Sequence, residues 1–173
     1  MATGRANLRA LLSVKSDIKE VVCRLNDLLA NDMDTEKFMT LFLVCLNHRD
    51  HGLAFVNAGH DLPLLYRSQG GAVQSLPATG IPLGIMSGWP YEICLADAMN
   101  PGDILLMTTD GVWEGTNASG ERFGKKRLEE GLASYADRSA RGIIDAIIKD
   151  VEVFSQGVPH PDDVTTVVLK RLG

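Results

Sequence analysis

Two carboxylate positions stand where a strong apolar run ends or begins. Asp110 closes "DILLMTTD" (103–110) and is followed at once by Gly111, while Asp162 and Asp163 introduce "VTTVVLKRL". The run ahead of Asp110 does not alternate, which is the pattern of a strand buried on both faces. Paired strands bring their ends side by side, so these acids can converge on one edge of a sheet. Carboxylates held close together repel unless a cation neutralises them, and hard oxygen donors select Mg2+ or Mn2+. The same residues also read as turns, since Asp-Gly and Pro-Asp-Asp both suit tight bends. The pattern alone leaves both readings open.

Other side chains carry weaker signals. His60 in "NAGHD" is of the residue type that serves most often as a general acid, against a structural role at a strand end. Asn57 and Gly59 read as shaping that turn. His48 and His51, three apart in "NHRDH", fit a hairpin turn better than a metal. Cys23, Cys45 and Cys94 are odd in number, widely spaced and set among apolar residues, so buried free thiols are expected rather than zinc or a disulfide. Lys125, Lys126 and Arg127 sit among acids and read as a solvated helix face.

The elements that would mount these groups follow from periodicity. Residues 2 to 13 read as a helix with Leu8, Leu11 and Leu12 on one face. A second helix starts at a cap supplied by Ser16 or Asp17, with Ile18, Val21, Val22, Leu25, Leu28 and Leu29 recurring at helical spacing and packing on a sheet. After the polar break at 31–37 come strand-like runs at 38–47, 52–59, 62–67 and 72–76. "HRDHG" joins the first two as an antiparallel hairpin. A loop rich in Gly and Pro (77–90) precedes "YEICLA" and "DILLMTTD", with "NPGD" as a turn before the latter. Two helical stretches, 123–136 and 140–155, and a β-branched strand at 163–172 complete the chain. Helices, strands, helices and a last strand indicate an α+β layered sandwich with mostly antiparallel sheets, in one domain over 1–173.

Composition narrows the function classes. The 173 residues are 45% hydrophobic and 23% charged, with a net charge of −5. That balance is ordinary for a globular protein and argues against a nucleic-acid surface, which needs clustered Lys and Arg. No apolar stretch reaches membrane-spanning length, and the first residues lack the uninterrupted apolar region of a secretory signal, so a cytoplasmic location and no membrane partner are expected.

Four stretches, "FMTLFLVCLNHRDHGLAFVNAGHDLPLLYR", "GIPLGI", "NPGDILLMTTDGVWEGTNASGERFGKKRL" and "PDDVTTVVLKR", occur in this order over nearly the whole chain. Together they resemble the SpoIIE/RsbU-type serine phosphatases, a bacterial branch of the metal-dependent PPM (type 2C) protein phosphatases. "NAGH", "TDGVWE" and "DDVT" in combination are specific to that pattern. The resemblance implies a PPM-like α/β/β/α sandwich and a pair of Mn2+ or Mg2+ ions, with Asp110 and Asp162 as ligands. It also implies a water activated by those ions that attacks phosphoserine or phosphothreonine. Gly111 is then expected to let the chain turn away from the ligand, and Asp163 to act as an occasional or supporting acid. Glu114 and Asn117 would order the loop over the site or cap it, and Trp113 and Trp89 read as packing residues. Asp61 stands where the family often has proline.

The same resemblance places further acids in upstream motifs like "GGDxYD" and "DVSGHG", which this sequence does not contain. The expectation is therefore an N-terminally truncated phosphatase domain whose metal site is incomplete, with exposed edges and apolar faces that favour a homo-oligomer, partner binding or aggregation. Its substrate would be a phosphorylated regulatory protein such as an anti-sigma-factor antagonist. The alternatives are a non-catalytic binding module built on the same fold and, last, a metal-independent structural subunit.

Overall fold

The computed structural model describes residues 2–14, 17–32, 37–159 and 162–173. Ser16 and part of the polar break lie outside these. The chain forms two compact units, one of Met1–His60 with Pro77–Ala98 and the other of Asp61–Leu76 with Met99–Gly173.

The first unit holds α1 (Ala2–Val14), α2 (Ile18–Asp32), β1 (Leu41–Leu46), β2 (Leu53–Ala58) and β5 (Cys94–Ala96). Asp17 starts α2 by accepting from the backbone N–H of Lys19 at 2.8 Å and more weakly from Glu20 at 3.4 Å, the usual way of satisfying amides that have no partner within the helix. Ile18, Val22, Leu25 and Leu29 form one stripe and pack on Val56, Ala58, Leu83 and Tyr91, as the spacing predicts. Leu12 and Leu28 depart from the expected faces. Both lie at the flank of their stripes and are exposed. The sheet order is β1-β2-β5, and both ladders are antiparallel. The expected hairpin joins β1 to β2, closed by Asn47 N–H to the Gly52 carbonyl at 2.9 Å and His51 N–H to the Asn47 carbonyl at 2.8 Å. His48 and His51 belong to that turn. Cys45 is exposed, and Cys23 and Cys94 are only half-buried, which corrects the expectation of buried thiols; all three are free.

The second unit holds β3 (Leu64–Tyr66), β4 (Val73–Ser75), β6 (Ile104–Thr108), α3 (Lys125–Ser134), α4 (Ala140–Ser155) and β7 (Thr166–Lys170), with a sheet ordered β4-β3-β6-β7 and antiparallel throughout. β3 is shorter than its apolar run because Pro63, just before it, has no N–H for a ladder. β6 is an inner strand, and Ile104, Leu105 and Leu106 are fully buried. The non-alternating run is thereby explained. Ile104 and Leu106 pack with Leu128 and Leu132 of α3 and Ile143, Ile147 and Val151 of α4. α4 begins at Ser139, whose hydroxyl accepts from Gly142 N–H at 3.1 Å, and ends at Gln156 in the left-handed region (φ 49°).

A buried carboxylate clamps the foot of β6. Asp103 is fully buried and forms a 2.9 Å ion pair with Arg67. It also accepts from the Ser68 and Asn100 backbone N–H groups and the Ser68 hydroxyl. The "NPGD" turn is present, with Asp103 N–H donating to the Asn100 carbonyl at 2.9 Å.

Candidate metal centre at one end of the sheet

β6 and β7 run antiparallel in a register that pairs Thr108 with Thr166. The end of β6 therefore meets the beginning of β7, and the two acidic motifs leave the sheet at the same end. Beyond the last ladder pair, Thr109 continues the connection. Its N–H donates to the Thr165 carbonyl at 3.1 Å, its hydroxyl donates to the Asp163 carbonyl at 3.1 Å, and that hydroxyl accepts from Thr165 N–H at 3.0 Å. Asp110 then opens a single 3-10 turn, Asp110–Val112, closed by Val112 N–H to the Thr109 carbonyl and followed by Glu114 N–H to the Asp110 carbonyl.

Gly111 is where the two segments touch. A Cβ placed on it would stand 2.6 Å from the Asp163 carbonyl oxygen and 3.3 Å from that of Asp162. The residue is not in the left-handed region. Glycine is needed here for close backbone approach rather than for the turn that the sequence reading assigned to it.

Asp110 is half-buried, and Asp162 and Asp163 are exposed. One Asp162 carboxylate oxygen accepts from the Asp163 N–H at 2.7 Å, which fixes the start of this segment. Asp163 contributes its backbone carbonyl to the contact with Thr109. The structure thus brings the Asp110 and Asp162 segments together, with Gly111 and Asp163 between them. His60 belongs to the other unit, at the end of β2. Its N–H donates to Asn57 Oδ1 at 2.9 Å. Gly59 there adopts φ 68°, with the ring of Pro82 2.5 Å from where a Cβ would be. Asn57 and Gly59 shape the turn as expected.

The loop after the 3-10 turn is ordered by its own polar groups. Asn117 Oδ1 accepts from the backbone N–H of Ser119 and Glu121 and from the Ser119 hydroxyl, and Glu114 pairs with Arg122 at 2.9 Å. Asn117 caps a loop, the plainer of its two expected roles. Trp113 is buried, and Lys125 stands over its ring at 4.6 Å. The basic cluster at 125–127 is therefore engaged as well as solvated, since Arg127 also pairs with Glu121 at 2.6 Å. Sequence reasoning missed Thr109 and Asp103. A threonine beside an acid, and an acid after a Pro-Gly turn, are too common to single out without the pairing.

The donors suit a hard cation in kind. Carboxylate oxygens from two chain segments are what one hydrated Mg2+ or Mn2+ accepts, the remaining positions being filled by water or phosphate. They fall short of a two-ion centre. Among the described residues no three His, Cys, Asp or Glu side chains are grouped to hold a metal ion, and none of the helices is long and apolar enough to cross a membrane.

A family model described as Stage II sporulation protein E (SpoIIE) matches residues 1–172. The phosphoserine phosphatase RsbU of Bacillus subtilis is 28% identical over 155 residues, covering 88% of this chain and 44% of its own length. Less than half of each curated relative is spanned. Among solved structures, the PP2C phosphatase domain of the cell-fate determinant SpoIIE from Bacillus subtilis, with a fragment of its regulatory domain, superposes with a TM-score of 0.81. That match has 23% identity over 97% of this chain and 49% of that one. The catalytic domain of the serine/threonine protein phosphatase PstP, solved with two manganese ions, superposes with a TM-score of 0.67 at 15% identity, over 99% and 82% of the two chains. The fold is that of PP2C phosphatase domains, α+β with antiparallel sheets.

Proposed function

The chain belongs to the SpoIIE family, and from that premise we propose that it is a metal-dependent protein serine/threonine phosphatase domain acting on a regulatory phosphoprotein in bacterial signalling. One observation carries the reading: the Thr109 and Gly111 contacts seat the Asp110 and Asp162 segments against each other at one sheet end. In this reading Asp110 and Asp162 hold Mn2+ or Mg2+, in keeping with the manganese of the PstP structure. A bound divalent ion supplies positive charge against the phosphoryl group and acidifies water.

The residues of the chain do the positioning. The buried β6 makes a rigid mount for Asp110, and the Thr109 hydroxyl keeps the Asp162 segment from drifting. Precision of this kind is better supplied from a strand end than from a loop.

A second reading is favoured by one specific feature. The described residues group no three metal-binding side chains, which suits a binding module that keeps the fold without turnover. Mn2+-dependent hydrolysis of a phosphoserine peptide, measured beside Asp110→Asn, separates the two. Turnover that is lost in the variant supports the phosphatase. Absence of turnover in a folded chain with Mn2+ supports the binding module.

A further inference from the structure

A small cavity opens in the second unit beside the start of α3. Leu62, Leu64, Trp113 and Leu128 make its apolar walls, Ser75 and Thr108 add hydroxyl-bearing side chains to the lining, Lys125 stands at the rim, and its volume is about 30 Å³. That exceeds the space a single water requires. The rim is open to solvent, with Leu62 41% exposed and the Lys125 side chain 53% exposed. The Lys125 ammonium lies 4.6 Å from the Trp113 ring centre and 3.6 Å from an Asp61 carboxylate oxygen. An exposed pair at that distance contributes little stability, so the ammonium can turn to a more strongly charged anion.

Chain continuity fixes where the cavity sits. Thr108 is two residues before Asp110 and Trp113 three residues after it, so the Cα atoms of these two lining residues lie within roughly 7 to 11 Å of the Asp110 Cα at full extension. Successive Cα atoms of a bound peptide are about 3.8 Å apart. A phosphoserine presented to Asp110 therefore brings the side chain of a residue one or two positions away within reach. An apolar hole with a cation on its rim complements a short aliphatic side chain next to a phosphate.

We propose that this cavity is a specificity pocket for a small aliphatic residue of alanine size flanking the phosphoserine of the protein substrate, with Leu62 as its selecting residue and Lys125 as the cation that meets the phosphate. The inference rests on the phosphatase reading above. Its test is calorimetric binding, with Mn2+ present, of peptides carrying a non-hydrolysable phosphonate analogue of phosphoserine. The peptides have alanine or glycine at each of the two positions on either side. One alanine peptide is expected to bind tighter than its glycine partner by roughly 10-fold. Leu62→Ser, at an exposed position, brings that ratio close to one, whereas Lys125→Ala, also exposed, weakens both peptides of a pair alike and leaves their ratio unchanged. Equal affinity across the whole set for the unaltered chain overturns the pocket and leaves the phosphatase reading standing. Failure of every peptide to bind overturns the phosphatase reading and this inference together.

Discussion

The hydroxyl of Thr109 donates to the carbonyl of Asp163 at 3.1 Å, so the residue before one candidate ligand is tied to the residue after the other. The same hydroxyl accepts from the Thr165 N–H at 3.0 Å. One small side chain thereby bridges two strands just beyond their last ladder pair, where the register would otherwise fray. Thr109→Val keeps the shape and removes both bonds. The expected loss is about 1 to 2 kcal/mol of stability by chemical denaturation. Any Mn2+-dependent turnover should fall by more than that stability loss explains, because the two acid segments are no longer held together. Turnover equal to that of the unaltered chain would show that the bridge is structural only.

Gly111→Ala tests the backbone contact from the other side. A methyl group 2.6 Å from the Asp163 carbonyl cannot be accommodated without moving one segment. A cost of about 1 to 3 kcal/mol is expected, and the displaced segment carries Asp162. A melting temperature unchanged from the parent would contradict the close approach.

Asp103 contributes stability that acid removes. Burial pushes its carboxyl up, but hydrogen bonds from the Asn100 and Ser68 N–H groups, Arg67 and the Ser68 hydroxyl outweigh that and hold it below the ordinary carboxylate value. A carboxyl depressed in the folded state stabilises above its unfolded pKa of about 4. That contribution is lost as pH falls through the folded value. Denaturation midpoints followed from pH 6 down to pH 2 should drop steeply below about 4, and less steeply in Asp103→Asn. Asp103→Ala, which removes the buried acceptor shared by Arg67, Ser68 and Asn100, should cost about 3 to 5 kcal/mol at neutral pH.

Much of this architecture is legible in the residue pattern. The continuous apolar run at 104–107 announces an inner strand, and the stripe from Ile18 to Leu29 announces a helix lying on a sheet. Asp110 and Asp162 stand out as acids at the ends of strong apolar runs, a position that a turn explains as well as a metal does. Their meeting depends on β6 and β7 being neighbours in one register, a non-local pairing that no window of sequence contains. Gly111 shows the same limit. Its position after an acid suggests a turn, and only the carbonyl of a residue more than fifty positions away reveals why a side chain is excluded. The exposure of Cys45 was hidden for a related reason, since an apolar neighbourhood in sequence does not say where a sheet face runs out of covering helix.

The central claim is that the Asp110 and Asp162 carboxylates act together on one cation. Titration of the chain with Mn2+, following the signal of free ion by electron paramagnetic resonance, tests it without requiring turnover. Saturable binding that weakens at least about tenfold in Asp110→Asn and again in Asp162→Asn, with each variant still folded by circular dichroism, is the predicted result. Mn2+ binding equally strong in both variants and the parent would place the ion elsewhere and contradict the account.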